Sequence, residues 1–137
     1  MAFVLHPRLA ADTAAIADWS LSRVLLMNDK RFAWIILVPR RPDVSELFEL
    51  DENARTMLMG EIARVGERLK GWARAGGGCD KINVGAIGNR VAQLHVHVVA
   101  RTRTDPAWPD PVWGRGDPVP YGAAELSRVV AELREAL

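Results

Sequence analysis

Apolar residues along the chain alternate or cluster in four short segments that predict strands. FAWIILVP at 32–39 is almost continuously apolar and ends at a proline, which indicates a strand covered on both faces. SRVLLMND at 22–29 precedes it and closes on an Asn-Asp turn signal, so the two segments predict an antiparallel hairpin. DKINVGAIG at 80–88 and VAQLHVHVVAR at 91–101 predict a second hairpin.

In two longer segments the apolar residues show the spacing of a helix instead. From Asp51, a suitable N-cap, steps of three and four residues mark one helix face of about six turns. Its apolar positions are Ala54, Met57, Leu58, Ile62, Val65, Leu69 and Trp72, and the glycines from Gly76 end it. GAAELSRVVAELREAL at 122–137 predicts a terminal amphipathic helix. Residues 1–20 show no clear period and are expected to be irregular, with at most a short helix.

Two hairpins, one long helix and a terminal helix predict an α+β fold. At 137 residues, with 49% hydrophobic and 26% charged residues, the chain can bury a core without disulfides. We find no internal repeat and no linker-like boundary, and therefore expect one domain over residues 1–137. Residues 105–118 hold four of the eight prolines and predict a rigid loop.

Charge and cysteine content limit the binding partners and the kinds of site that we expect. The formal net charge is +1, from 18 basic and 17 acidic residues, and this balance argues against nucleic acid or an anionic membrane as partner. Cys79 is the single cysteine, so neither an intrachain disulfide nor a zinc site of paired cysteines is expected. The apolar runs are too short for a signal peptide or a membrane span, and we expect a cytoplasmic protein.

The stretch QLHVHVVAR at 93–101 places two histidines at alternate positions of an apolar strand. Alternation would put Gln93, His95 and His97 on one face, with neighbouring residues of that face roughly 6.5–7 Å apart. The pair could be structural, could bind a metal that needs further ligands, or could act as a catalytic pair. The preceding turn at Gly88-Asn89 can present backbone N–H groups to an anion, which favours the catalytic interpretation.

NVGAIGNRVAQLHVHVVAR resembles the signature of the histidine triad (HIT) superfamily, His-φ-His-φ-His-φ-φ with φ apolar. Upstream, VLLMNDKRFAWIILVPRR resembles the strand–turn–strand of that family, so the likeness covers about residues 20–102. The form Gln-φ-His-φ-His resembles the bacterial branch of diadenosine tetraphosphate hydrolase-like HIT proteins. The resemblance implies a five-stranded antiparallel sheet with one long central helix and a C-terminal helix, and a homodimer.

The resemblance also implies an activity, that of a nucleotide hydrolase or nucleotidyl transferase. His95 would attack the α-phosphate of a (di)nucleoside polyphosphate or nucleoside phosphoramidate, forming a nucleotidyl-histidine that water hydrolyses. His97 would donate a hydrogen bond to the phosphate, and Gln93 takes the place of the first histidine. No metal or other cofactor is implied, although Mg²⁺ could accompany a polyphosphate substrate. The expected ligand is a small-molecule nucleotide.

Five further residues are expected at the nucleotide because of the same resemblance. Asn28 would bind the ribose hydroxyls, and Asn83 would line the phosphate site. Gly88 and Asn89 would form the turn that holds a phosphate or leaving-group oxygen. Arg90 would neutralise polyphosphate, with a solvated surface arginine as the alternative.

Two residues depart from the family pattern. Gln93 can donate and accept hydrogen bonds, but it carries neither a titrating proton nor a charge. Trp34 stands where many members have a histidine that supports the nucleophile, and we expect it to pack in the core or at an interface. The alternative function is therefore a nucleotide-binding module with little or no turnover. In the Pro-rich loop, Trp108 and Trp113 could stack on a base, close over the site of a partner subunit, or pack within the loop.

Overall fold

The centre of the fold is a five-stranded antiparallel sheet, seen in a computed structural model that describes residues 2–137. Its strands in chain order are β1 (Thr13–Asp18), β2 (Ser22–Met27), β3 (Ala33–Pro39), β4 (Lys81–Gly85) and β5 (Val96–Arg101). The helices are α1 (Pro7–Asp12), α2 (Glu52–Ala75) and α3 (Ala123–Ala136), with a 3₁₀ turn at Leu47–Glu49. The predicted α+β fold with one long helix and a C-terminal helix is confirmed. None of the described helices is long and apolar enough to cross a membrane.

The middle strand β3 explains the apolar run of the sequence. The spatial order is β1-β2-β3-β5-β4, so β3 lies between two neighbours, and every residue of 34–39 is buried. Ile35 and Leu37 point into the core beneath α2 and α3. Trp34 and Ile36 point to the opposite face, which is covered by the N-terminal segment and the loop after β5. The hairpin of β2 and β3 is antiparallel as predicted.

The helix α2 follows the predicted pattern at both ends. The Asp51 carboxylate accepts a hydrogen bond from the Ala54 N–H at 2.7 Å, and the helix stops at Ala75, before the glycines. Its buried residues are Ala54, Leu58, Val65 and Leu69, all on the predicted face. The terminal helix α3 likewise buries Val129 and Leu133 against the same side of the sheet.

The N-terminal region is more ordered than the sequence indicated. Residues 1–20 were expected to be irregular, whereas α1 and the edge strand β1 occupy most of them. The strand TAAIAD buries only Ile16 and carries an irregularity between Ala15 and Ala17, so it has no alternating apolar pattern. Pairing with β2 forms this strand, and a tertiary contact of that kind leaves little trace in local periodicity.

The second predicted hairpin is present, but its strands are shorter than predicted. β4 and β5 pair in antiparallel register, with Gly85 opposite His97. The regular strand begins only at Val96, so Gln93 and His95 precede it. The backbone there bonds elsewhere, since the Leu94 N–H donates to the Val44 carbonyl in the loop after β3.

Candidate active site

A cavity of about 620 Å³ opens on the sheet face opposite α2 and α3. Four segments surround it: α1, the turn between β2 and β3, the connection after β4, and the loop after β5. His95 and His97 lie in its wall, buried to 7% and 6% exposure. This volume suits a small organic ligand, and the polar groups around it decide which one.

The tautomer of His95 follows from its backbone contact. Its Nδ1 lies 2.7 Å from the Gln93 carbonyl oxygen, which can only accept a hydrogen bond. In the neutral ring Nδ1 therefore carries the hydrogen, and Nε2 keeps its lone pair. The sequence left the orienting contact of this histidine open, and a backbone carbonyl supplies it. His95 is thus prepared as a nucleophile at Nε2.

His97 is held in the opposite tautomer. The Trp34 indole N–H can only donate, and it donates to His97 Nδ1 at 3.0 Å. The remaining nitrogen, Nε2, therefore carries the hydrogen of the neutral ring. The two imidazole centroids lie 4.9 Å apart, so a lone pair and a donor are available side by side. Trp34 was expected to be a packing residue; it is buried, and it also orients His97.

His97 stays neutral over a wide pH range. Burial, and secondarily the charge of His95, lower the pKa of His97 from 6.5 to about 3. Protonation at Nδ1 would also break the bond from Trp34. A neutral His97 offers a hydrogen bond to an oxygen anion without adding a positive charge to the cavity.

We expect acid to weaken the fold through His97. The folded state takes up this proton only near pH 3, whereas the unfolded chain takes it up near pH 6.5, so stability falls as pH falls between these values. The slope from this group is at most about 1.4 kcal/mol per pH unit. Urea unfolding of wild type and His97→Gln at pH 7.5, 6.5 and 5.5 checks this. Equal pH slopes in both proteins would contradict it.

We expect Trp34→Phe to lower the turnover number about tenfold, the cost of one lost buried hydrogen bond. The phenyl ring keeps most of the packing, but His97 can then exchange between tautomers, and only one of them donates from Nε2. Nitrogen NMR of the imidazoles reads the tautomer directly in the free protein. A variant in which His97 keeps a single tautomer with hydrogen on Nε2 would refute this role of Trp34.

Trp113 encloses His97 from the side of the loop. The two rings lie 5.3 Å apart in an edge-on arrangement, and Trp113 lines the cavity. The indole rests on Gly85, where a β-carbon would lie only 2.8 Å from Trp113 Cη2. Glycine at position 85 therefore lets the loop come close to the histidines. Trp108 is not in the cavity lining; it lies over Arg101 instead.

We expect Gly85→Ala to push Trp113 away from His97 and to destabilise the fold by about 1–3 kcal/mol, as overpacking does. NMR of the Trp113 indole, assigned with Trp113→Phe, reads the displacement, and urea unfolding reads the stability. Gly71→Ala is the matched control, because a β-carbon there meets nothing within 4 Å and the residue is helical. An unmoved Trp113 signal in Gly85→Ala would show that the contact is not tight.

Hydrogen bonds join the turn between β2 and β3 to the loop after β5, and both segments line the cavity. Asp29 is 1% exposed, and its carboxylate accepts bonds from the Arg31 side chain and from the Val119 N–H. Burial alone would raise the pKa of Asp29, but the bonds from Arg31 and Val119 hold it below its usual value. Asn28 Oδ1 accepts from the Tyr121 N–H at 2.9 Å. These contacts bring Asn28 and Arg31 into the cavity wall.

Six of the eight predicted site residues lie around this one cavity. They are Asn28, Gly88, Asn89, Arg90, His95 and His97. The other two are placed elsewhere. Gln93 was expected beside the histidines, but its side chain bonds to the main chain of residues 4 and 6. Asn83 was expected to line the phosphate site, but its Oδ1 accepts from the buried Arg101.

Four charged cavity residues were not predicted from the sequence, namely Arg8, Asp12, Asp29 and Arg31. Asp29 is part of the recognised Asn-Asp turn and Arg31 stands two residues after it, which was a usable signal. Arg8 and Asp12 belong to α1, whose contact with the cavity no local pattern indicated. Within residues 2–137, no group of three or more His, Cys, Asp or Glu side chains is arranged to hold a metal ion.

Comparison with known proteins places the chain in a family. The HIT domain profile matches residues 8–104, more than half of the chain. A histidine triad protein from Bradyrhizobium japonicum shares 46% identity and superposes with a TM-score of 0.92, over 99% of this chain and 98% of that one. HIT proteins from Sinorhizobium meliloti 1021 and Marinobacter aquaeolei VT8 each share 44% identity. Their TM-scores are 0.91 and 0.92, over 98% and 100% of this chain and 97% of each relative.

No curated protein matches the chain. The expected superfamily is confirmed by the profile and by the three bacterial relatives, while the finer branch stays a prediction. With the profile spanning the whole sheet and the histidine pair, the chain belongs to the HIT domain family.

Proposed function

We propose that this protein is a nucleotide hydrolase or nucleotidyl transferase that works through a covalent intermediate on His95. HIT domain proteins are generally nucleotide-binding hydrolases or transferases. The observation that carries the proposal is the pair of opposite tautomers, with a lone pair on His95 Nε2 beside a hydrogen on His97 Nε2. This arrangement fits in-line attack on a phosphorus atom whose oxygens need a neutral donor.

The proposed reaction consists of two successive displacements at the same phosphorus atom. His95 Nε2 forms a bond to the α-phosphorus of a (di)nucleoside polyphosphate or nucleoside phosphoramidate, and the bond to the leaving group breaks with its electron pair. An amine leaving group takes a proton from solvent, whereas a phosphate leaving group needs none. The imidazolium that results keeps Nδ1–H on the Gln93 carbonyl. Water then forms a bond to phosphorus, the bond to Nε2 breaks, and a proton goes to solvent. A nucleoside monophosphate is released, and His95 returns to its starting tautomer.

Polar groups around the cavity support an anionic nucleotide as the ligand. Arg8, Arg31 and Arg90 line it from three segments, and the turn with Gly88 and Asn89 lines it as well. Arg8 and Arg31 are paired with carboxylates of the same lining, which leaves Arg90 as the cavity arginine without a salt bridge within residues 2–137. Gly88 has φ +67°, a conformation that glycine adopts without strain. Asn28, held by the loop after β5, is proposed to meet the ribose hydroxyls. The reaction as written needs no metal, and Mg²⁺ would enter only with a polyphosphate substrate.

One observation favours a second candidate, a nucleotide-binding module with little or no turnover. Both polar atoms of Gln93 are engaged by backbone groups, so the first triad position supplies no proton to a leaving group. Such a protein would bind nucleotide at the same cavity without forming the adduct. The two candidates differ only in the covalent step.

An adduct assay separates the candidates. The protein is incubated in EDTA with adenine dinucleoside polyphosphates and with an AMP phosphoramidate, quenched in base, and analysed by mass spectrometry for an acid-labile nucleotidyl group on His95. Adduct with turnover supports the enzyme. Nucleotide binding with neither sinks it in favour of the module. Activity that EDTA abolishes, without adduct, points to a metal-dependent hydrolase. An added arm with Mg²⁺ tests whether the polyphosphate needs the ion.

The proposed assembly is a homodimer, which the resemblance implied. Strand β4 lies at an edge of the sheet, and its Val84 is 51% exposed. An edge strand with an exposed apolar residue is suited to pairing with a second copy. Sedimentation at micromolar concentration, with Val84→Lys as the comparison, tests this. The cytoplasmic location stays a prediction from the sequence.

A further inference from the structure

Both polar atoms of the Gln93 side chain bond to the N-terminal segment. Oε1 accepts from the His6 N–H at 2.8 Å, and Nε2 donates to the Val4 carbonyl at 2.8 Å. A carbonyl and an N–H two residues apart are the groups that one strand offers to its neighbour. The amide of Gln93 therefore takes the place of a neighbouring strand for residues 4–6, across 87 and 89 positions of sequence.

An amide is well suited to this double contact among the polar side chains. Gln carries a donor and an acceptor side by side on one planar group. The two nitrogens of imidazole point to different sides of the ring, so one histidine cannot serve both the Val4 carbonyl and the His6 N–H. Glutamate matches the shape of glutamine, but when ionised it only accepts. Its second oxygen would face the Val4 carbonyl, and that contact would be repulsive.

The segment that Gln93 holds leads directly into one wall of the cavity. Helix α1 begins at Pro7, next to the bonded His6, and four of its residues line the cavity: Arg8, Leu9, Ala11 and Asp12. At the other end of α1, the Asp12 carbonyl accepts from the Asn28 N–H at 3.0 Å. Leu9 is buried in the same apolar cluster as Trp34. The α1 wall is thus held at its N-terminal end by Gln93 and at its C-terminal end by Asn28.

We propose that Gln93 is a positioning residue that sets the ligand affinity of the cavity through α1, without touching the phosphate. This replaces its expected role as a catalytic member of the triad, and it rests on the proposed function for the nature of the ligand. Its loss loosens the α1 wall and weakens ligand binding. The chemical step on His95 continues once a ligand is bound, because the Gln93 contact to His95 is made by the backbone carbonyl, which every variant keeps.

The test compares wild type, Gln93→Glu and Gln93→His by hydrogen exchange, AMP binding and turnover. In both variants we expect residues 5–12 to exchange about three- to tenfold faster, roughly the factor that the loss of one partly exposed hydrogen bond corresponds to. The dissociation constant for AMP rises about five- to tenfold, and the turnover number stays within about twofold of wild type. Exchange in α2, measured in the same samples, verifies that each variant is folded.

Three results decide the matter. Unchanged exchange of residues 5–12 in both variants overturns the proposal, whatever happens to turnover. A turnover number that changes while the AMP dissociation constant does not would return Gln93 to a catalytic role. If wild type fails to bind AMP, the proposed function fails, while the exchange data still decide whether Gln93 holds the wall.

Discussion

Replacing His95 with glycine is expected to abolish the nucleotidyl adduct and to lower the turnover number by about 10³-fold or more, since a nucleophile has no substitute in covalent catalysis. The glycine removes the one cavity-lining imidazole that keeps a lone pair on Nε2, because His97 carries hydrogen on the corresponding nitrogen. Nucleotide binding should persist, since the arginines and asparagines around the cavity are untouched. Steady-state kinetics and mass spectrometry of the quenched enzyme measure both effects.

Free imidazole provides the sharper control for this variant. The space left by the ring can admit imidazole, which then attacks the α-phosphorus and leaves as a nucleotidyl-imidazole in solution. Added imidazole should restore product formation in His95→Gly but not in a His95→Gln variant, where the side chain fills the space. Wild-type turnover in His95→Gly without imidazole would rule out the covalent mechanism.

Arg101→Met is expected to destabilise the fold by about 3–5 kcal/mol, the cost of leaving one partner of a buried ion pair alone. Arg101 is 1% exposed and bonds to the Asp105 carboxylate at 2.7 and 3.0 Å, to Asn83 Oδ1 and to the Asp110 carbonyl. Burial would raise the pKa of Asp105, but its bonds from Arg101 and from the Ala107 and Trp108 N–H groups lower it. Urea unfolding at pH 7.5 measures the loss.

Two further variants identify the cause of that loss. Arg101→Lys keeps the charge but not the planar fork, and should recover only part of the stability. In Arg101→Met with Asp105→Asn no charge is left unpaired, and the Asn oxygen can still accept from the loop N–H groups. The double variant should therefore be more stable than Arg101→Met alone. A double variant that is less stable would show that the capping bonds, and not the ion pair, dominate.

The sequence could predict those elements whose burial imposes a regular spacing on the apolar residues. The middle strand β3 and the helices α2 and α3 bury one or both faces against the core, and that requirement fixes where apolar residues stand. Strand β1 buries a single isoleucine and depends on pairing with β2, so its residues carried no comparable pattern. The period of two at Gln93 and His95 was also misleading. The backbone there leaves the sheet before Val96.

For the candidate site, residue order found the histidine pair, Asn28 and the turn at 88–90, because each belongs to a short motif of the sequence. It could not find what Gln93 touches, since its partners lie 87 and 89 positions away. The α1 wall and the contact of Trp34 with His97 escaped for the same reason. Such contacts depend on how distant segments pack, and no local property of a residue encodes them.

The neutral state of His97 has a consequence for the dependence on ionic strength. Since neutral His97 adds no charge, the arginines that line the cavity attract a phosphate. Arg8 and Arg31 are paired with Asp12 and Asp29, so within residues 2–137 Arg90 is the cavity arginine without a salt bridge. Salt screens such charges over about 8 Å at physiological concentration. Association with the ligand should thus depend on salt, while the phosphorus transfer between His95 and the nucleotide, enclosed by Trp34 and Trp113, should not. Ligand association and phosphorus transfer thus depend on different residues of one cavity.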